Sequence, residues 1–425
     1  MTEDFLHYIW KNRLYTFKDL KTVQGQKLEV IHPGYIHQDS GPDFKQAIIK
    51  IDDITWAGDI EIHCKSSDWI KHQHHKDEKY KSVILHVVYE SDVFIDRDTK
   101  ETFPALALKS YLSDELLGRY RKFQYNELNL PCAGEIPELS PLLIASWLSR
   151  LCISRLLKKE KKIYEMLTQC HGDWNELLFR MLSINFGFKT NESAFELLSK
   201  TITYKQISHH AKSKIQLYAL LFGQAGFLEI LPSDTDDYFN ILSQEYSYLR
   251  HKYKLISIPP SRWNLLRLHP QNFPCLRLAQ LAELLHHYPD LFKSFISETD
   301  FKADKLLNDC IPDSYWKTHY HFGIEGKPHS CRLGKSAIIL IQINTIIPTL
   351  FCYGSFSGDS SYQEKAVSIL ENLPFEGNHI TRYYQKKGFP CNNAMQSQAI
   401  IELHHHYCRS KKCLKCQLGC AILQK

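Results

Sequence analysis

This sequence has no surplus of one charge, no unbroken hydrophobic run and no leader-like start, and each lack closes off a class. The formal net charge is only +5 over 425 residues, which permits a basic groove but does not demand a nucleic-acid partner. The 22 histidines add charge only below neutral pH. The most apolar stretch, Ala337 to Tyr353, is interrupted by Gln342, Asn344, Thr345 and Pro348. It is expected to be a buried helix, too short and too polar to span a membrane. The first residues, MTEDFLHYIWKNRLY, lack the basic start and apolar core of a signal peptide. Thirteen cysteines without an export signal imply a reducing compartment, where thiols stay free or bind metal. The expectation is a cytoplasmic protein with no membrane association.

Several catalytic signatures are also missing. Leu333-Gly334-Lys335-Ser336 ends like a phosphate-binding loop, but His329 stands where the first glycine of GxxxxGKS belongs. The backbone cradle is therefore absent. There is no Rossmann fingerprint, GxSxG elbow, internal repeat or low-complexity segment.

What is present is a globular chain, 44% hydrophobic and long enough for two or three domains. After an amphipathic helix at about Glu3 to Tyr15, the segments KLEVIHPGYI, FKQAIIKID and ITWAGDIEIHC read as three strands. Asp52-Asp53 supplies a hairpin turn between the last two. SSDWIKHQHHKDEKYK predicts a short helix, with Ser66 or Ser67 as its N-cap. SVILHVVYES reads as a strand buried on both faces, and FPALALKSYL precedes a helix at about Asp114 to Glu127. These elements define an α/β domain over 1–128. NLPCAGEIPELSP, 129–141, has the proline and glycine of a linker. A helical domain is expected over 142–300 and a helical region with a cysteine cluster over 301–425. Within the helical part, Arg262, Arg267 and Arg277 sit among aromatics and prolines, more in keeping with an ordinary helical surface than with phosphate contacts.

Between Gly58 and Lys65 polar and apolar residues alternate, so Asp59, Glu61, His63 and Lys65 share one strand face, expected to be wet. Carboxylates this close repel unless a cation or proton lies between them. The order helix, three strands, helix, strand resembles the PD-(D/E)xK nuclease superfamily, with Pro42-Asp43 opening the second strand and Glu61-Ile62-His63 on the third. The resemblance implies a restriction-endonuclease-like domain in which Asp43 and Glu61 hold Mg²⁺ or Mn²⁺ and DNA is the partner. Asp59 is a further candidate ligand. His63 replaces the superfamily's lysine, so His63 or Lys65 would orient the attacking water. Two other readings stay open: a non-catalytic nucleic-acid-binding or scaffold protein, and a transition-metal hydrolase of another substrate. The last would centre on His72, His74, Asp77 and His86, with His72 and His75 spaced to share a helical face.

The tail carries Cys408, Cys413, Cys416 and Cys420, with Cys391 upstream. The CxxC pair and its neighbours predict a Zn²⁺ or [4Fe–4S] site, with Cys391 or Cys420 as the fourth ligand. The runs GPDF, WAGDIEIH, SDWIKHQHHKDEKY, VILHVVYESD, ALLFGQAGFL, LHPQNFPCLRLAQLA and YCRSKKCLKCQLG resemble the bacterial domain-of-unknown-function family numbered 2851. That resemblance implies a bacterial cytoplasmic protein and brings no established activity.

Overall fold

The computed structural model describes residues 1–37, 39–95, 104–125, 130–229, 235–297 and 303–425. They form two compact units, Met1–Trp147 with Leu403–Lys425, and Leu148–Glu402. The division differs from the one expected. Residues 130–141 are not a solvated linker, because Leu130 and Ile136 are buried in the first unit, and the cysteine tail also belongs to that unit. The expected helix end at Glu127 and the boundary at 300/301 lie outside the described residues.

The first unit opens with α1 (Glu3–Asn12), capped by the Thr2 side chain and ended by Arg13 in a left-handed conformation. Phe5, Leu6, Ile9 and Trp10 bury one face of this helix; each such side chain contributes roughly 1.5–3 kcal/mol on leaving water. A mixed sheet follows, with β1 (Leu28–His32), β2 (Tyr35–Ile36), β3 (Phe44–Ile51), β4 (Ile54–Lys65), β5 (Val83–Glu90) and β6 (Ala105–Ala107). The order is β1-β3-β4-β5-β6, with β2 also paired to β3. β1, β3 and β4 are antiparallel, β5 runs parallel to β4, and β6 parallel to β5. Asp52, at φ 50°, makes the two-residue turn between β3 and β4. Gly58 is required by proximity, since a Cβ there would lie 2.4 Å from Ile84 Cγ2 and 2.6 Å from Ser82 O.

The second unit is helical, with helices Trp174–Phe186, Lys214–Gln224 and Pro274–His287 inside the range expected to be helical. Arg277 is interior rather than a phosphate contact. It donates to Gln280 Oε1 and Asn272 Oδ1 and packs over the Phe188 ring. The apolar run lies in a continuous helix, Lys335–Ser357, which is long and apolar enough to cross a membrane, but 72% of its most apolar window is buried. Two of its polar interruptions, Asn344 and Gln342, have side-chain partners within the unit. Asn344 Oδ1 and Ile343 O accept from Lys159 Nζ, Gln342 donates to Asp304, and Thr349 donates to Thr345 O.

Candidate metal centre

The polar face of β4 is not wet at its middle positions. Glu61 and His63 are 5% and 2% exposed, because the 66–82 crossover folds back over them. Trp69 packs edge-on to His74 and beside His86, and Tyr80 stacks on His74 with ring centroids 3.8 Å apart. Parallel pairing also sets Glu61 opposite His86 on β5.

The two carboxylates expected to cooperate are brought side by side. The Asp43 N–H donates to Glu61 Oε2 at 3.1 Å, and the Ile62 N–H donates to Asp43 Oδ2 at 3.0 Å. From α1, His7 Nε2 approaches Asp43 Oδ2 to 3.1 Å. Its charged form is penalised by burial, but the hydrogen bond and charge of Asp43 outweigh this and raise its pKa.

Three imidazoles complete the cluster. Donor nitrogens of His63, His72 and His74 lie within 4.8 Å of one another. His63 Nε2 is 3.2 Å from His72 Nδ1, and Glu61 Oε1 is 3.5 Å from His63 Nε2 and 3.4 Å from His74 Nε2. His72 pairs with His74 rather than His75, because Gln73 takes a left-handed conformation at φ 59°. Following the short helix α2 (Asp68–Lys71) and its C-cap His72, Gln73 starts the next turn and brings position 74 inward, while His75 stays exposed. The expected Ser67 cap makes no side-chain cap bond. Asp92 instead fixes this corner, accepting from Ser66 Oγ, Ser67 N and Ser67 Oγ at 2.8–2.9 Å.

The other predicted residues stand outside this cluster. His86 lies behind His63, with its Nε2 2.8 Å from His63 Nδ1. Asp59 oxygens are taken by Ser82 Oγ and Gln46 N. Asp77 is exposed and caps a turn at Lys79 N, and Lys65 is exposed. Sequence reasoning missed His7, Trp69 and Tyr80. His7 was hidden in an ordinary amphipathic helix, and nothing in the sequence linked that helix to Asp43.

The electrostatics suit a cation. Among the described residues, the ion-pair partners of Glu61 are His63 and His74; no lysine or arginine balances it. Burial, then the Asp43 charge, lifts Glu61 to about 9. Burial, then the neighbouring imidazoles, lowers His63 to about 3, and burial followed by His74 does the same for His86. Burial, followed by His72, also lowers His74. Neutral His63 and His74 are in the donor form a divalent metal takes, and Glu61, which keeps its proton near neutral pH, would release it to a bound cation.

Comparison with known families adds one result. The model for a protein family of unknown function matches residues 3–379. The chain belongs to the DUF2851 family. The DUF2851 match takes in the sheet and the crossover, and it ends before Cys391 and the tail cysteines. No curated protein and no solved structure matches the chain.

Proposed function

We propose that the first unit is a divalent-metal-dependent hydrolase of phosphodiesters, with DNA as the leading substrate. The observation that carries this is the meeting of Asp43, Glu61 and three imidazoles on one face of the sheet. The element order supports the restriction-endonuclease-like reading of the fold: a helix, three antiparallel strands and a crossover to a parallel strand, with Asp43 entering β3 and Glu61 inside β4.

Glu61 Oε1, His63 Nε2, His72 Nδ1 and His74 Nε2 would hold the ion. Three imidazoles favour Mn²⁺ or Zn²⁺ over Mg²⁺. A bound cation supplies a polarised phosphoryl oxygen and a water of lowered pKa. Asp43 and His7 are half-buried and form a rim pair suited to taking the proton of an attacking water. Trp69 and Tyr80 pack against His74 and shield that side of the cluster, while His72 stays exposed at its rim.

The test is cleavage of plasmid and single-stranded DNA with Mn²⁺, Zn²⁺ or Mg²⁺, alongside metal content. Glu61→Gln should abolish cleavage while the fold persists. DNA binding without cleavage, unchanged by Glu61→Gln, would instead favour a non-catalytic binding or scaffold protein. The histidine set also favours a second reading, a transition-metal hydrolase of a different substrate. Metal-dependent turnover of other phosphoesters or amides, with DNA untouched, would select it.

A further inference from the structure

The helical unit holds a cavity of about 610 Å³, within the size range of sites for small organic molecules. Three helices frame it. Lys159, Lys162, Ile163 and Met166 lie three and four apart on one face of the helix Pro141–Gln169. Met181 comes from Trp174–Phe186, with Phe188 just beyond that helix. Leu340, Asn344 and Pro348 come from Lys335–Ser357.

Lys159 stands out among the lining residues. Its Nζ donates to Ile343 O and to Asn344 Oδ1, each at 3.0 Å. The carbonyl needs that donor for a local reason. Between Gln342 and Ile346 the helix winds as a π-helix, so the Ile347 N–H bonds to Gln342 O. The next residue, Pro348, has no N–H to offer Ile343 O. Capping a carbonyl requires only a neutral donor, yet Lys159 brings a charge as well. Among the described residues it has no ion-pair partner. Glu376, on the same wall, is bonded instead by Asn378 Nδ2 at 2.9 Å and Gln398 Nε2 at 2.6 Å. Burial, then the nearby Arg155 charge, lowers Lys159 to about 7. Lys162 and Lys189 add two exposed amines at the rim, beside Glu192.

We propose that this cavity binds a small organic carboxylate, its head on Lys159 Nζ and its apolar body against Met166, Met181, Phe188 and Leu340. An ammonium has three donors; two are used, and the third remains for the ligand together with the charge. Three lysines against two glutamates leave the lining one positive charge in excess, which matches a monoanionic head better than a dianionic phosphate. Two thioethers and an aromatic ring suit an apolar body of varied shape, and Arg277 stacked on Phe188 holds that ring in place. A bound anion keeps Lys159 in the charged form that burial alone disfavours. The cavity lies wholly in the second unit, so this inference does not depend on the hydrolase reading.

The test titrates the full chain calorimetrically with naphthoate, an aromatic carboxylate, and with naphthylmethanol, its uncharged counterpart. Naphthoate should bind at one site per chain and more tightly than the alcohol. Lys159→Met should weaken naphthoate by about tenfold or more, the worth of a charge-assisted hydrogen bond, and leave the alcohol within about threefold. Leu340→Trp fills the cavity without touching Lys159, and it should abolish binding of both; it serves as the test if Lys159→Met fails to fold. Acylation of Lys159 by a succinimidyl ester near neutral pH, read by mass spectrometry, should be suppressed by naphthoate and not by the alcohol. Naphthoate that does not bind, that binds Lys159→Met or Leu340→Trp as well as wild type, or that leaves the acylation of Lys159 unchanged would each overturn the proposal.

Discussion

His86 Nε2 lies 2.8 Å from His63 Nδ1, at a depth where neither ring meets water. One of the two nitrogens must carry the proton. If His63 Nδ1 carries it, His63 Nε2 is left with a lone pair directed toward His72, Glu61 and the shared centre. His86 would thus hold the ring that takes the proposed ion, a positioning role rather than a ligand's.

His86→Leu should therefore weaken metal binding by about 10–100-fold without removing a ligand. It also leaves a buried ring nitrogen without its partner, at a cost of about 1–3 kcal/mol. Competition against a chelator measures the first effect, and urea unfolding without metal measures the second. Unchanged affinity would return His86 to ordinary core packing.

Glu61 makes a pH prediction for the metal-free protein. Its pKa is raised from 4.5 to about 9, first by burial and then by Asp43. Between those values the folded state keeps a proton that the unfolded chain has lost. The stability this contributes is complete below the unfolded value and is lost as pH rises through about 9. Urea midpoints in EDTA at about pH 5, 7 and 9 should fall with pH in wild type, and less steeply in Glu61→Gln. Saturating Mn²⁺ should restore wild type at the alkaline end, by about 2.7 kcal/mol at a hundredfold excess over Kd, and should do little for the variant.

Part of this was legible in the sequence, and the reasons are local. Period-two alternation placed Glu61 and His63 on one face of β4, and the Asp52-Asp53 turn brought Asp43 beside them. The nearly continuous apolar run correctly predicted that β5 is largely buried. Alternation cannot say which face a later segment will cover, so Glu61 and His63 were expected to be wet and are not. The choice of His74 over His75 rests on the backbone angle of Gln73, which helical spacing does not encode. The Pro-Gly composition of 129–141 suggested a linker because composition does not register the burial of Leu130 and Ile136.

Gln73 is the hinge of the histidine pair. Its left-handed backbone costs an L-residue roughly 1–2 kcal/mol, which glycine does not incur. Gln73→Gly should keep metal affinity within about threefold and leave stability equal or higher. Gln73→Val should cost stability and lower the affinity, because a β-branched residue resists that conformation. Metal titration of the two variants gives the comparison. Equal affinity in both would mean that the turn does not aim His74.

The Asp92 clamp is the remaining support for the crossover. Its carboxylate is held down at about 2, chiefly by the Ser67 N–H, against opposing desolvation and with help from the Ser67 and Ser66 hydroxyls. A depressed carboxylate stabilises the fold above its unfolded pKa, and that share is lost as pH falls toward about 2. Asp92 is exposed, so solvent screening keeps the share small. Its larger effect should be geometric, since Ser66 and Ser67 begin the segment that delivers His72 and His74. Asp92→Ala should lower metal affinity by about 3–10-fold at neutral pH, in the manner of an outer-shell support, while moving the urea midpoint little. Isothermal titration with Mn²⁺ reads the affinity and urea unfolding in EDTA reads the stability. A loss of stability without a loss of affinity would show that the clamp holds the loop but does not set the histidines.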